Sequence, residues 1–372
     1  AGVSAFGFGG ANVHLALEEH RAAVPARAGH RGALPLLLEA ATPDLLARRC
    51  EELAARFERD PAQVEAWPDA PPPAEHARLG LVAADPAEAA RLLRKAAEAL
   101  SWRGEETAWS EDGAIHYRRR ALEPGAKVVA VFSGQGAQTV GMGARLTIDF
   151  PELRAIFEAF DAAAVALGRE PVSALVYPAE AATPAQARIQ HEALTRTFHA
   201  QAAVGAYGMA VYTFLRQRGL DPELAVGHSF GELTALWAAG SLDDEAYRAA
   251  VLARGDALTP PPDLAEGGLL ALEADAERVC ALLPQLPGIS LANLNSPRQT
   301  VVGGEGEALA LALPVLEQAG IRAVRLPVAA AFHTDHVDYA KAAWSAALQR
   351  LEPAAPRWPV LANLTAQAYP DD

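Results

Sequence analysis

The stretch Leu224-Ala225-Val226-Gly227-His228-Ser229-Phe230-Gly231 constrains the fold more than any other part of the chain. A short apolar run enters GxSxG, and an apolar helical pattern with Leu233, Leu236 and Trp237 follows. GxSxG needs this context, a strand that turns sharply into a helix and presents a serine at the bend. The glycines permit the tight turn because they carry no Cβ. The serine then lies where free backbone N–H groups and the helix dipole favour negative charge. Such strand–turn–helix units predict a parallel sheet in an α/β domain. The motif alone is compatible with acyl transfer, with hydrolysis, or with a glycine-bounded helix start carrying a surface serine.

A second unit of the same kind is predicted upstream. Residues 127–132 (KVVAVF) read as a strand running into Ser133-Gly134-Gln135-Gly136. Downstream the rhythm changes: a strand at 268–272, a helix at 275–283, strands at 289–294 and 300–302 joined by Asn295-Ser296-Pro297, a helix at 305–318 and a strand at 323–328. That order is βαββαβ, a ferredoxin-like subdomain over about 262–328. Residues 33–120 predict a separate small α/β unit. It has strands at 34–38, 79–83 and 114–117, a helix at 43–58, and a helix at 86–100 capped by Asp85. The Pro-rich stretch 61–73 must be loop. Residues 1–20 hold the cluster Phe6-Gly7-Phe8-Gly9-Gly10, too rich in glycine for a helix, and an alternating strand pattern over 13–17.

Half of the residues (51%) are apolar, enough for large cores. Lys and Arg number 32 against 46 Asp and Glu, a net charge of −14. This argues against nucleic acid as a main partner, since phosphate binding needs a basic surface. No apolar run reaches the ~18 residues of a membrane span, and no secretory leader pattern is present. Cys50 and Cys280 lack metal-ligand spacing and read as two buried, reduced thiols of a cytoplasmic protein. Both ends of the chain read as cuts through a longer polypeptide.

A serine nucleophile needs a base, usually histidine. His228 reads as a structural residue of the turn. His333, just after the strand that closes the βαββαβ unit, is the better candidate, and His336 is a weaker rival.

Four ordered motifs resemble the malonyl-type acyltransferases of fatty acid and polyketide synthases. They are Phe132-Ser133-Gly134-Gln135-Gly136-Ala137-Gln138 (FxGQGxQ), Gly227-His228-Ser229-Phe230-Gly231-Glu232 (GHSxGE), Arg254, 25 residues after the serine, and Ala331-Phe332-His333, 104 residues after it. Asn293-Leu294-Asn295-Ser296-Pro297 is similar to the family's NxNxP stretch. Residues 1–20 resemble the last segment of a ketosynthase, with His14 but no condensing cysteine. Residues 21–124 resemble a ketosynthase-to-acyltransferase linker domain, and 125–372 the acyltransferase domain. GHSFGE with AFHT looks closest to the transferases of polyunsaturated fatty acid synthases and iterative polyketide synthases.

The resemblance implies an α/β-hydrolase-like large subdomain with a parallel sheet, a ferredoxin-like small subdomain and a preceding small α/β linker. It also implies the site. Ser229 attacks malonyl-CoA, His333 moves the proton, and the backbone N–H groups of Gln135 and Phe230 form the oxyanion hole. Arg254 holds the free carboxylate, Phe332 crowds an α-methyl group, and Asn295 contributes to substrate binding. No metal or bound cofactor is implied, because the chemistry is ester exchange. The partners implied are malonyl-CoA, an acyl carrier protein bearing phosphopantetheine, and the neighbouring ketosynthase. Arg298, Arg322 or Arg325 would offer the acidic carrier protein a basic patch.

The chain departs from the family at Ala330, where histidine is common, at Thr334-Asp335, where Ser-Pro is common, and at Phe230, which is larger than usual. The group that orients His333 is expected beyond residue 372, with Asp335 or Asp338 as weak substitutes. Two other readings compete. A GxSxG hydrolase or thioesterase would have no use for GQGAQ or a buried Arg254. A purely architectural docking piece would not need the Ser/His/Arg/Gln set.

Overall fold

The computed structural model describes residues 2–6, 12–16, 34–60, 72–122, 127–328 and 330–370. The glycine cluster expected over 7–10 and most of the Pro-rich loop at 61–73 lie outside the described residues. The chain divides into two compact units, Ala1–Pro124 and Gly125–Asp372.

In the first unit, Gly2–Phe6 pairs antiparallel with Asn12–Ala16. A separate antiparallel sheet has the order Leu34–Ala40, Ala77–Ala83, Ile115–Arg118, Ala108–Glu111. Helices Pro43–Arg59 and Pro86–Arg103 begin at Thr42 and Asp85, whose side chains accept the N–H of Leu45 and Glu88. Their apolar faces, with Leu46, Cys50, Phe57, Leu93 and Leu100, form one core with Leu79, Ile115 and Tyr117 of the sheet. The fourth strand, Ala108–Glu111, corrects the three-strand expectation. Its signal is Asp112-Gly113, whose φ angles of 51° and 65° suit a type I′ hairpin turn.

The second unit holds a parallel sheet of three strands, in the order Val360–Leu361, Leu224–Gly227, Val129–Phe132. Helices Pro151–Ala166, Thr197–Gln217, Gly231–Ala238 and Asp244–Ala257 share one core with it through Ala130, Phe132, Ala225 and Val360, while Val129 and Val131 of its edge strand are exposed. Small residues let them pack closely: Ala202, Ala203, Ala206, Ala235 and Ala250 are buried among Phe157, Phe160, Phe230 and Tyr247. Beside this lies an antiparallel sheet ordered Ile289–Ser296, Gln299–Glu305, Gly267–Leu272, Ala323–Arg325, the ferredoxin-like arrangement of a βαββαβ chain. Alternation along its strands separates two faces. Leu270, Leu272 and Val302 pack under Val279, Leu309 and Leu316 of its two helices, while Leu269 and Val301 pack against Phe332.

Cys50 is buried, but Cys280 is exposed, which corrects the expectation of two buried thiols. Helix Ala276–Leu282 is short and buries only Val279, so the next position faces outward. Among the described residues, no helix is long and apolar enough to cross a membrane.

Candidate active site

Both glycines of the elbow are dictated by close approach. A Cβ at Gly227 would lie 2.0 Å from the Gly231 carbonyl carbon, and one at Gly231 would lie 2.3 Å from the Phe132 carbonyl oxygen. At Gly134 a Cβ would meet the His228 carbonyl oxygen at 2.4 Å. The ends of two parallel strands, the loop after the first and the helix after the second are thus packed backbone to backbone. The His228 N–H donates to Phe132 O at 3.0 Å. At the apex Ser229 has a φ of 53°, a left-handed conformation that a residue with a Cβ adopts only at a cost of ~1–3 kcal/mol.

Ser229 Oγ lies 2.7 Å from His333 Nε2. His333 also has a positive φ, 65°. It follows Ala331 and Phe332, both buried, so the backbone turn at 333 aims the ring out of the wall toward the elbow. One edge of His333 remains exposed, yet the desolvation of its imidazole lowers its pKa to about 4, helped by the charge of Arg254 and by His228. It is therefore neutral and able to accept a proton across the physiological range. His336 is removed as a rival, because its Nε2 is bonded to the Ala265 carbonyl at 3.0 Å.

A cavity of about 460 Å³ joins these groups. Gln135, Arg254, Asn295 and Phe332 line it together with Ser229 and His333. Arg254 projects from the last turn of helix Asp244–Ala257. Burial lowers its pKa to about 10, with Glu232 opposing the shift, so it stays cationic at neutral pH. Among the described residues no carboxylate lies in ion-pair range of its guanidinium. The two nearby acids are engaged elsewhere: Asp256 pairs with Arg169, and Glu232 Oε1 accepts from the Asn363 N–H at 2.8 Å and the Tyr369 hydroxyl at 2.6 Å. The Arg254 guanidinium lies 5.8 Å from the centre of the Phe230 ring.

Among the described residues, the N–H groups of Gln135 and Phe230 have no acceptor within the protein. The Gln135 loop is braced by two buried glutamines. Gln201 Nε2 donates to Gln135 Oε1 at 3.0 Å, and Gln138 Oε1 accepts the Gly136 N–H at 2.8 Å. The Asn295 carboxamide is shared between His228 Nε2, 2.9 Å from its oxygen, and Gln299 Oε1, 3.0 Å from its nitrogen. It ties the antiparallel sheet to the elbow.

Asp338 pairs with Lys341 at 2.7 Å, and neither it nor Asp335 is bonded to His333. Of the three arginines expected to form a basic patch, Arg322 pairs with Glu273 and Arg325 with Glu266. Two residues at the site, Gln201 and Asn363, carry no signal in the sequence. Gln201 sits in an apolar helix without a motif around it, and Asn363 lies 134 residues from the serine it touches.

The model of the acyl transferase domain matches residues 129–370. The chain belongs to the acyl transferase domain family. A polyunsaturated fatty acid synthase polypeptide of Thraustochytrium sp. is 30% identical over 409 residues, spanning 100% of this chain, which itself spans 14% of that protein's length. Acyl-carrier-protein S-malonyltransferase of Bartonella henselae is 33% identical, with a TM-score of 0.57 over 65% of this chain and 76% of that one. The acyl transferase domain of ZmaA has a TM-score of 0.72 over 92% of this chain and 75% of that one, a likeness of fold at 22% identity. The architecture is thus that of acyl transferase domains, an α/β-hydrolase-like parallel sheet joined to a ferredoxin-like subdomain.

Proposed function

We propose that this acyl transferase domain moves malonyl from malonyl-CoA, through an ester on Ser229, to the phosphopantetheine thiol of an acyl carrier protein. Ser229 Oγ attacks the thioester carbon while His333 Nε2 takes its proton. The tetrahedral oxyanion is held by the N–H groups of Gln135 and Phe230. His333 returns the proton to the departing coenzyme A sulfur. The carrier thiol then attacks the ester, gives its proton to His333, and leaves Ser229 reprotonated.

The observation that carries this reading is Arg254, a buried guanidinium with no carboxylate partner among the described residues, lining one cavity with the Ser229–His333 pair. A guanidinium fork pairs bidentately with a carboxylate, and the free end of a malonyl group supplies one. Phe332 fills the wall beside His333 and leaves less room for an α-methyl substituent, a preference of ~1–3 kcal/mol. Residues 1–20 and 21–124 are assigned to the end of a ketosynthase and to its linker, so a neighbouring ketosynthase is a partner and the setting is a cytoplasmic synthase. The same reading requires no metal or resident cofactor.

Intact-mass measurement after exposure to malonyl-, methylmalonyl- and acetyl-CoA tests the proposal. Malonyl-CoA should leave one malonyl ester, absent in Ser229→Ala, that holo carrier protein removes. Rapid release of free malonate without transfer to the carrier would point to a hydrolase. Full self-acylation of Ser229→Ala would end the serine mechanism.

A further inference from the structure

We infer that Asn363, backed by Glu232 and Tyr369, is a positioning residue that holds Ser229 in its reactive backbone conformation. The inference rests on Ser229 being the acylated residue. Its basis is geometric. The Asn363 carboxamide oxygen accepts the Ser229 N–H at 2.6 Å, and its Nδ2 donates to the Gly227 carbonyl at 2.6 Å. One side chain thereby bridges the two peptide groups on either side of His228.

Strand pairing explains how the chain brings it there. Val360 and Leu361 lie parallel to Ala225 and Val226. Two residues on, the backbone leaves the strand just where its neighbour bends into the elbow. The carboxamide then takes the place of the next peptide group of the ladder, offering an acceptor to one side and a donor to the other. The elbow needs both. The Ser229 N–H precedes the helix that begins at Gly231 and has no acceptor within it, and the Gly227 carbonyl stands at the end of its strand. Left unpaired, each polar group would be penalised, and that penalty would favour relaxation of the strained apex. A carboxylate has no donor and a hydroxyl is too short, so the pair of bonds calls for a primary carboxamide.

Asn363 is itself fixed from behind. Its own N–H donates to Glu232 Oε1, the oxygen that also accepts the Tyr369 hydroxyl. Tyr369 N–H donates to the Val360 carbonyl, closing the loop 361–369 on its strand. Glu232 stands in the first turn of the helix Gly231–Ala238. Helix, elbow and the 361–369 loop are therefore locked through three side chains, none of which lines the cavity that holds Ser229 and His333. The lock acts on the reacting atoms through the position of Ser229 Oγ relative to His333.

The test compares wild type, Asn363→Ala, Asn363→Asp and Tyr369→Phe. It measures the rate of Ser229 labelling by an uncharged fluorophosphonate, the rate and KM of malonylation from malonyl-CoA, and the melting temperature. Asn363→Ala should slow both labelling and malonylation about tenfold or more, with KM within about twofold. Asn363→Asp should not rescue it, and Tyr369→Phe, which removes one oxygen, should show a smaller loss in the same direction. A folded Asn363→Ala or Tyr369→Phe protein with wild-type labelling and malonylation rates would overturn the inference, as would a change confined to KM. Fluorophosphonate separates this result from the malonyl proposal. Wild type labelled by the reagent but inert to malonyl-CoA defeats the malonyl reading and leaves the lock testable by labelling alone. Wild type inert to both defeats the lock.

Discussion

The field around His333 decides when it can act as a base. Burial is the largest influence on its pKa of about 4, followed by the positive charge of Arg254 and by His228. Each disfavours the imidazolium. In the proposed mechanism the neutral form is the base, so kcat/KM for malonyl-CoA should hold down to about pH 5 and fall near pH 4, below the ~6.5 of an ordinary histidine. On the proposed clamp, a malonyl carboxylate would offset the Arg254 charge, so the limb in kcat should lie at higher pH than the limb in kcat/KM. In Arg254→Ala the repulsion is gone and the His333 pKa should rise, which NMR titration of the ring would report; an unmoved pKa refutes the coupling. The same variant tests the clamp. At ~1.5–3 kcal/mol per charged hydrogen bond, a two-bond clamp contributes ~3–6 kcal/mol, so kcat/KM for malonyl-CoA should fall by about a hundredfold or more. Acetyl-CoA, which has no second carboxylate, should be used about as well as before. Unchanged malonyl preference would remove Arg254 from the substrate site.

Elements differ in how legibly the chain encodes them. The elbow can be read because it demands glycine at positions where a Cβ has no room, and that demand leaves a motif. The ferredoxin-like order can be read because short apolar runs, as in Gly267–Leu272 and Gln299–Glu305, are separated by helical stretches in a fixed succession. Helix Thr197–Gln217 leaves no single apolar stripe, since it is buried along Phe198, Ala202, Ala206 and Met209 as well as most of the positions between. Gln201 is hidden with it. Strand Val360–Leu361 is two residues long, too short for any period, so Asn363 has no predicted element to stand on. The Ser229, His333 and Arg254 positions come from motif spacing, whereas the amides that brace them act at long range and carry no local signature. The elbow's glycine demand has a measurable consequence. Gly227→Ala puts a methyl group 2.0 Å from the Gly231 carbonyl carbon and 2.1 Å from the Glu232 nitrogen, both backbone atoms that cannot rotate away. Overpacking of this kind costs ~1–3 kcal/mol or more. The helix start must move, and Ser229 with it, so malonylation should fall by well over tenfold along with a lower melting temperature. Wild-type acylation in this variant would show that the backbone contact is not needed for reactivity.

At the scale of the whole molecule the chain carries separate cores with separate reporters. The first unit buries Cys50 among Leu46, Leu53, Phe57 and Leu93, and burial raises the thiol pKa to about 12. A thiol with so little thiolate, and without solvent access, reacts only when that core opens. Cys280, in the second unit, is exposed and should be labelled at once. Slow labelling by a thiol reagent therefore reads the stability of residues 34–122, while malonylation of Ser229 reads the integrity of 127–370. Leu46 is fully buried in the first core, and Leu46→Ala should cost ~2–5 kcal/mol there. If opening controls access, Cys50 labelling should accelerate by about thirtyfold or more. Among the described residues, the cluster that supports the elbow is built from the second unit's own side chains, with Phe157, Phe230, Tyr247 and Val360. Malonylation by Leu46→Ala should thus stay within about twofold of wild type under conditions where Cys50 reacts quickly. Loss of malonylation in step with Cys50 labelling would mean that the two cores unfold as one cooperative body, and the first unit would then be a structural requirement for transfer.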